Sequence, residues 1–432
     1  MPRQTSLSRN DELTAMPKIT KIIAHEILDS RGTPTVEAMV QLEDGSSGVF
    51  SVPSGESKGK HEAKELRDND PERYAGLGVL TALKNISQVI APKILGMDAN
   101  DQVALDNAMI SLDGTNDKSH LGANSILAVS AATAKAASAS QKIPLYLHIS
   151  HLMGASTNEF NIPTPMFNEV NGGLHAGFNL DFQEFLIVPP KSNSFTKNLE
   201  FGTEVYYALK KALQTHTNQV LIGDEGGYAP LLYQNTDVFK IFEEAVNLAG
   251  YKTGLDAFFS LDCAATNLKH GSAYKLKDRP TALPASDLIE FYAQLNDQFH
   301  MLSLEDPLAE DDWSDWVELN ARIGEKTFLI GDDLIATNYD RLKKAIEIRA
   351  CNGVIIKPNQ AGTITETLKV VNEAKKANFK VIASHRSGET NDSFIADFAV
   401  GINADYCKFG APARGERVAK YNRLLEIEHE LS

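Results

Sequence analysis

The chain has 432 residues, 43% hydrophobic and 23% charged, enough apolar content for a large core in two or more domains, which excludes collagen, coiled coil and a wholly disordered chain. With 42 Lys+Arg against 57 Asp+Glu the formal net charge is -15, so nucleic acid and anionic membranes would meet long-range repulsion. Cys263, Cys351 and Cys407 show no CxxC spacing, which argues against a disulfide framework or a thiolate zinc site and for a reducing, cytoplasmic compartment.

Residues 1–18 read as a flexible extension. Asp11 and Glu12 argue against an acid-poor transit peptide, no apolar core of a secretory signal is present, and Met16 is an alternative start. From Ile19 to Val52, β-rich runs separated by turn residues predict a strand meander. A Gly-rich loop follows, and then helices over about Val79–Leu95, Asp101–Leu112 and Ala123–Ser140. Strands followed by helices make an α+β unit over residues 19–150. Pro144–Pro165, rich in proline and small residues, reads as the junction to a second domain over 151–432.

The second domain alternates short apolar strands with amphipathic helices. The strands are FFSLDCAA, MLSLEDPL, TFLIGDDL, NGVIIKPN, FKVIASHR and ADYCKFGA; helices are expected at Trp313–Ile323, Tyr339–Arg349, Thr363–Ala377, Ser393–Val400 and Arg417–Leu431. The polar residues that end the strands are 43, 27, 25, 28 and 23 residues apart; the spacings near 25 are those of βα units, and their repetition predicts a parallel (β/α)8-type barrel. No Gly-rich dinucleotide turn supports the rival open sheet.

Those strand ends are Asp262, Glu305, Asp332, Lys357, His385 and Lys408. In a parallel barrel they converge on one face, the usual place for an active site. Asp262, Glu305 and Asp332 offer hard oxygen ligands, which favours Mg²⁺ or Mn²⁺ over Zn²⁺. Asp306 or Asp333 are alternatives, although adjacent acids on a strand point to opposite sides. Lys357, beside metal charge that would lower its pKa, suits a general base. Glu225, in GDEGG, is a candidate acid, and Arg386-Ser387 suit a phosphate. The segment SVPSGESKGKHE is one residue too short for a phosphate-binding P-loop and reads instead as a lid at the barrel mouth.

From about Ile19 to Leu431 the chain resembles the enolases. The resemblance is carried by ILDSRG, LGANSILAVS, GGLHA, QEF, GDEGG, LDCAA, EDPLAEDDW, GDDL, KPNQ, SHRSGET and RVAKYNRLLEIE. It implies an N-terminal α+β domain on a ββαα(βα)6 barrel and a homodimer or higher homo-oligomer. It also implies a glycolytic lyase that interconverts 2-phosphoglycerate and phosphoenolpyruvate with two Mg²⁺ per site, its partner a small phosphorylated acid and not nucleic acid or a membrane.

By motif, the resemblance assigns Asp262, Glu305 and Asp332 to the first Mg²⁺ and Ser57 on the lid to the second. Lys357 would remove the C2 proton, and Glu225, supported by Glu184, would assist loss of the C3 hydroxyl. Lysine with magnesium is the pairing for which enolase-superfamily sites are known. His175, Gln183, His385 and Lys408 would line the pocket, with Arg386 and Ser387 on the phosphate.

Some neighbours depart from the family pattern. Glu56 and Lys58 replace two neutral lid residues, and Ala361, Phe409 and Thr266-Asn267-Leu268 stand where Ile, Thr and SEF are usual. If closure brings Glu56 near the second metal it would strengthen that site, while Lys58 would meet the phosphate. A paralogue for a related phosphorylated or phosphonate acid, or a non-catalytic binding protein on the same scaffold, are the alternatives.

Overall fold

The computed structural model describes residues 17–56, 59–155, 159–217 and 219–432. The extension up to Met16 and the lid residues Ser57 and Lys58 lie outside them.

Three antiparallel strands, β1 (Ile19–Leu28), β2 (Pro34–Leu42) and β3 (Ser47–Ser51), form the N-terminal meander. Along β2 the side chains of Val36, Ala38, Val40 and Leu42 alternate inward and are fully buried. They pack on the helix Ala123–Gln141, which is buried almost all round. Its run of small residues lets backbone touch backbone: a Cβ at Gly48 would lie 2.2 Å from Ala132 O. Alanine keeps the helix stable where a larger side chain would hold the sheet away.

The segment expected as a plain junction contains a helix, Leu145–Leu152, which packs on the barrel helix Phe394–Gly401 and spans residue 150. Its Leu, Tyr and Ile face the core, a pattern too short for periodicity to separate from the surrounding proline-rich chain.

The barrel follows the order expected. Phe167–Asn171 and Glu184–Val188 pair antiparallel, two helices follow (Phe195–His216 and Asp237–Leu248), and six βα units then begin at Phe258–Asp262. The five strands after it are Ser303–Glu305, Phe328–Gly331, Gly353–Ile356, Lys380–Ser384 and Tyr406–Lys408, all parallel. Thr164–Pro165 pairs with Tyr406–Cys407 and brings the last strand back to the first. Met166, Leu186, Val188, Ile330, Ile355 and Ile382 form a separate buried apolar cluster from alternating strand positions, so polar side chains concentrate at one end of the sheet.

One buried group has no evident partner. Glu169 is fully buried, and neither carboxylate oxygen has a hydrogen bond among the described residues; burial raises its pKa well above the ordinary range. The folded state holds this proton while the unfolded chain releases it. The stability it contributes is therefore complete below the unfolded pKa near 4.5 and is lost as pH rises toward the folded value. Glu169→Leu is expected to stabilise the fold by about 1–3 kcal/mol near neutral pH. Thermal melts should show a larger gain at pH 8 than at pH 5, and an equal gain at both would contradict a buried neutral carboxyl.

Candidate active site

Strand register assembles the site. Glu184 pairs with Asp262, and Asp262 with Glu305, in one row across three strands. Glu184 opens its strand while the other two close theirs; because that strand runs antiparallel, its first residue meets its neighbours' last. Asp332, Lys357 and His385 each follow a strand by one residue, and Lys408 ends its own.

Lys408 sits at the centre of the acids and is buried. Its Nζ donates to Asp262 Oδ2 (3.1 Å) and to both oxygens of Glu305 (2.8 and 2.9 Å), and lies 3.3 Å from Glu184 Oε2. Lys357 pairs with Asp332, whose other oxygen accepts from Gln360 Nε2 at 2.9 Å. Four carboxylates thus surround two ammonium groups. Burial, with Asp262 adding to it, drives Glu305 well above the usual carboxylate range, and burial with Glu225 does the same to Glu184. Such an excess of buried hard oxygen donors, with no sulfur donor among them, fits a divalent cation such as Mg²⁺.

Two groups of described side chains hold their ligand atoms close enough for a metal: His175–Glu184–Glu225 and Asp306–Asp332–Asp333. Asp306 is already committed. Its oxygens accept the backbone N–H groups of Asp332 (3.0 Å) and Asp333 (2.7 Å), so it ties one strand end to the next. Burial and Asp332 raise Asp333 to about 8.

The expected lowering of the Lys357 pKa is not what the resting arrangement shows. Burial disfavours the ammonium, but the Asp332 carboxylate outweighs it and lifts the pKa. The expectation presupposed metal charge nearby; here the nearest charge is the carboxylate itself.

On the opposite side, Glu225 is presented by a loop that turns at Gly226 (φ 90°) and docks through Ala411 N to Glu225 O at 3.1 Å. Glu225 Oε2 accepts from Asn168 Nδ2 (2.8 Å) and lies 3.2 Å from His385 Nε2; its Oε1 is 3.6 Å from His175 Nδ1, as is Glu184 Oε1. Against its burial, His385 and His175 hold Glu225 well below the ordinary range. Glu184 is thus pushed up and Glu225 down, an asymmetry between two neighbouring carboxyls that suits acid–base work.

Arg386 is clamped by Glu62, with Nη1 to Oε2 at 2.8 Å and Nη2 to Oε1 at 3.2 Å, and by Asn359 Oδ1 at 3.2 Å. Gly55 rests directly on this guanidinium: a Cβ there would fall 1.7 Å from Nη2. Ser387 Oγ accepts from Glu56 N at 2.8 Å, so the lid lies against the expected phosphate residues. The Glu56 carboxylate is 3.3 Å from Arg31 Nη1 and also meets Asp224, and burial with that contact raises its pKa.

One cavity is lined by His175, Gln183, Glu184, Glu225, Asp262, Lys357, His385, Arg386, Ser387 and Lys408, together with Ser384. Glu305 and Asp332 stand behind it through the two lysines. Four buried atoms at the site have no hydrogen bond among the described residues; Glu184 Oε2 and His385 Nε2 lie beside charged groups, Lys408 and Glu225, whereas His175 Nδ1 and Gln183 Oε1 have none within 3.5 Å. Polar atoms left unpaired in a buried cavity indicate a polar ligand.

Sequence reasoning did not single out Asn168, Glu62 or Gln360. Asn168 carried a signal, since Asn168, Glu169 and Asn171 interrupt an otherwise apolar strand. Glu62 lies in a loop, where no periodicity marks a buried carboxylate.

A barrel whose mouth holds clustered acids, two buried lysines and a glutamate pair has the groups that acid–base chemistry beside a divalent cation requires. Residues 19–149 match the family model of the enolase N-terminal domain, and residues 159–432 that of the enolase C-terminal TIM barrel domain. The chain belongs to the enolase family and is a lyase of that family.

Proposed function

We propose that the protein reversibly dehydrates 2-phospho-D-glycerate to phosphoenolpyruvate, in glycolysis and gluconeogenesis, with two Mg²⁺ per site, as a cytoplasmic homodimer or higher homo-oligomer. The observation that carries this reading is the placement of Lys357 and the Glu184–Glu225 pair among the residues of one cavity. Dehydration of an acid needs a base for the proton beside the carboxylate and an acid for the departing hydroxyl.

Asp262, Glu305 and Asp332 would hold Mg²⁺, which when bound supplies positive charge for the substrate carboxylate as the C2 proton leaves. Lys357 takes that proton as the neutral amine; with Asp332 engaged elsewhere, burial with Arg386 and Lys408 favours the amine. Lys408 contributes fixed charge near the carboxylate. Glu225, supported by Glu184, assists loss of the C3 hydroxyl, and His175 and His385 orient Glu225. Arg386, held in orientation by Glu62, and Ser387 bind the phosphate, and Gln183 lines the pocket.

The departures from the family pattern sit mostly in packing. Phe409 is fully buried with its ring 6.0 Å from Tyr421, and Thr266 accepts Glu310 N in a short turn. Neither Phe409 nor Thr266 lines the cavity, which favours the ordinary substrate over a paralogue's. No described helix is long and apolar enough to cross a membrane. A panel of 2-phosphoglycerate, 3-phosphoglycerate and a phosphonate analogue tests the choice: kcat/KM should be at least about 100-fold higher for 2-phosphoglycerate. A reversed order would assign the site to another acid.

A further inference from the structure

The first turn of the C-terminal helix Gly415–Leu431 buries a guanidinium beneath the active-site loop. Arg417 is 0% exposed. Its Nη1 lies 2.8 Å from His385 Nδ1 and donates to Arg386 O at 2.6 Å; its Nη2 donates to Ser387 O at 2.6 Å and Asp224 O at 3.3 Å. One side chain thus joins the loop that carries His385 to the loop that carries Glu225. Gly410 (φ 86°) makes room for this: a Cβ there would lie 3.0 Å from both His385 Cε1 and Arg417 Cδ.

An arginine only donates. The Nδ1 atom that faces it must present a lone pair, so the proton of a neutral imidazole must lie on Nε2. That nitrogen lies 3.2 Å from Glu225 Oε2, close to it but outside hydrogen-bond geometry in the resting arrangement, and a carboxylate only accepts. The two neighbours demand the same tautomer from opposite sides of the ring.

We propose that Arg417 is a positioning residue that fixes His385 as the Nε2–H tautomer and so aims an N–H at Glu225, an inference that rests on the proton-transfer role given to Glu225 above. Burial, followed by the Arg417 charge against the attraction of Glu225, holds His385 neutral with a pKa of about 3, so the tautomer and not the charge is what remains to be set. Without the guanidinium, the imidazole can place its proton on Nδ1 and donate to the freed Arg386 carbonyl. A lone pair on Nε2 would then oppose the Glu225 carboxylate, and the hydroxyl-expulsion step would suffer while proton removal by Lys357 would not.

The experiment is long-range ¹H–¹⁵N spectroscopy of the full-length protein labelled at histidine nitrogens, with His385 assigned by its loss in His385→Asn. The wild-type Nδ1 should show the shift of an unprotonated nitrogen and Nε2 that of a protonated one. In Arg417→Met this pattern should fade, with kcat for dehydration down roughly 10- to 100-fold, KM nearly unchanged and solvent exchange at C2 retained. Arg417→Lys should recover part of both.

A wild-type proton on Nδ1, or an Arg417→Met protein with unchanged tautomer and kcat, overturns the proposal. Should Arg417→Met not fold, the wild-type spectrum decides alone. A wild-type protein that shows Nε2–H yet does not dehydrate 2-phosphoglycerate keeps the tautomer assignment and removes the proton-transfer role. Dehydration with the opposite tautomer refutes only the proposal.

Discussion

Lys357→Ala is expected to lose exchange of the C2 proton of 2-phosphoglycerate with solvent deuterium by about 10²- to 10⁴-fold, the usual contribution of a positioned general base. Glu225→Gln is expected to keep a substantial part of that exchange while dehydration falls by a similar factor. The difference follows from placement. Lys357 belongs to the acid–lysine group beside Asp332, whereas Glu225 is held by Asn168, His385 and His175 on the far side of the cavity. Exchange followed by NMR beside phosphoenolpyruvate formation followed by absorbance separates the two half-reactions. Wild-type exchange in Lys357→Ala would show that another group removes the proton. Equal loss of both activities in Glu225→Gln would mean that the glutamate serves the whole site and not one step.

The second large effect concerns the cation. Chelation by EDTA should abolish turnover and Mg²⁺ should restore it, because the charge that develops on the substrate carboxylate has no adequate counter-charge in a site with more carboxylates than ammonium groups. Asp262→Asn, Glu305→Gln and Asp332→Asn should each raise the Mg²⁺ concentration needed for half activity, by roughly 10-fold or more. Asp306→Asn should act differently. Its carboxylate accepts two backbone N–H groups from the next strand end, so the amide leaves one donor facing a donor and the fold should lose about 1–3 kcal/mol. Titration of Mg²⁺ beside a thermal melt tells the two classes apart. A Mg²⁺ shift in Asp306→Asn as large as in Glu305→Gln, with no change in melting, would move the ligand set to the Asp306–Asp332–Asp333 group.

The barrel was legible because its signal is periodic. Apolar runs ending in Asp262, Glu305, Asp332, Lys357, His385 and Lys408 repeat at βα spacing, and such a repeat has few structural solutions. Glu184 was a different matter. Nothing in its own strand marks it as a site residue, and it reaches the acid row only because that strand is reversed; the family resemblance, not periodicity, pointed to it. Residues that hold other residues were the least legible. Glu62, Gln360 and Asn168 act through contacts made across 324, 28 and 57 residues of chain, and no local pattern encodes such a contact. The charge state of Lys357 was also out of reach, since it depends on which partner Asp332 takes.

Two of the residues expected to depart from the family pattern, Glu56 and Lys58, belong to the lid. Ser57 and Lys58, given to the second Mg²⁺ and to the phosphate by expectation, lie outside the described residues. Glu56 is placed: its carboxyl pairs with Arg31 and meets the Asp224 carboxyl, a contact that raises its pKa. It thus joins the lid to the loop that presents Glu225.

Dehydration of 2-phosphoglycerate at this site is tested most directly by absorbance-monitored formation of phosphoenolpyruvate by the purified full-length protein with Mg²⁺. Turnover at an ordinary enzymatic rate, of order 1–10³ s⁻¹, that vanishes in Lys357→Ala is the result expected. No phosphoenolpyruvate from folded protein saturated with Mg²⁺, or undiminished turnover in Lys357→Ala, would contradict it.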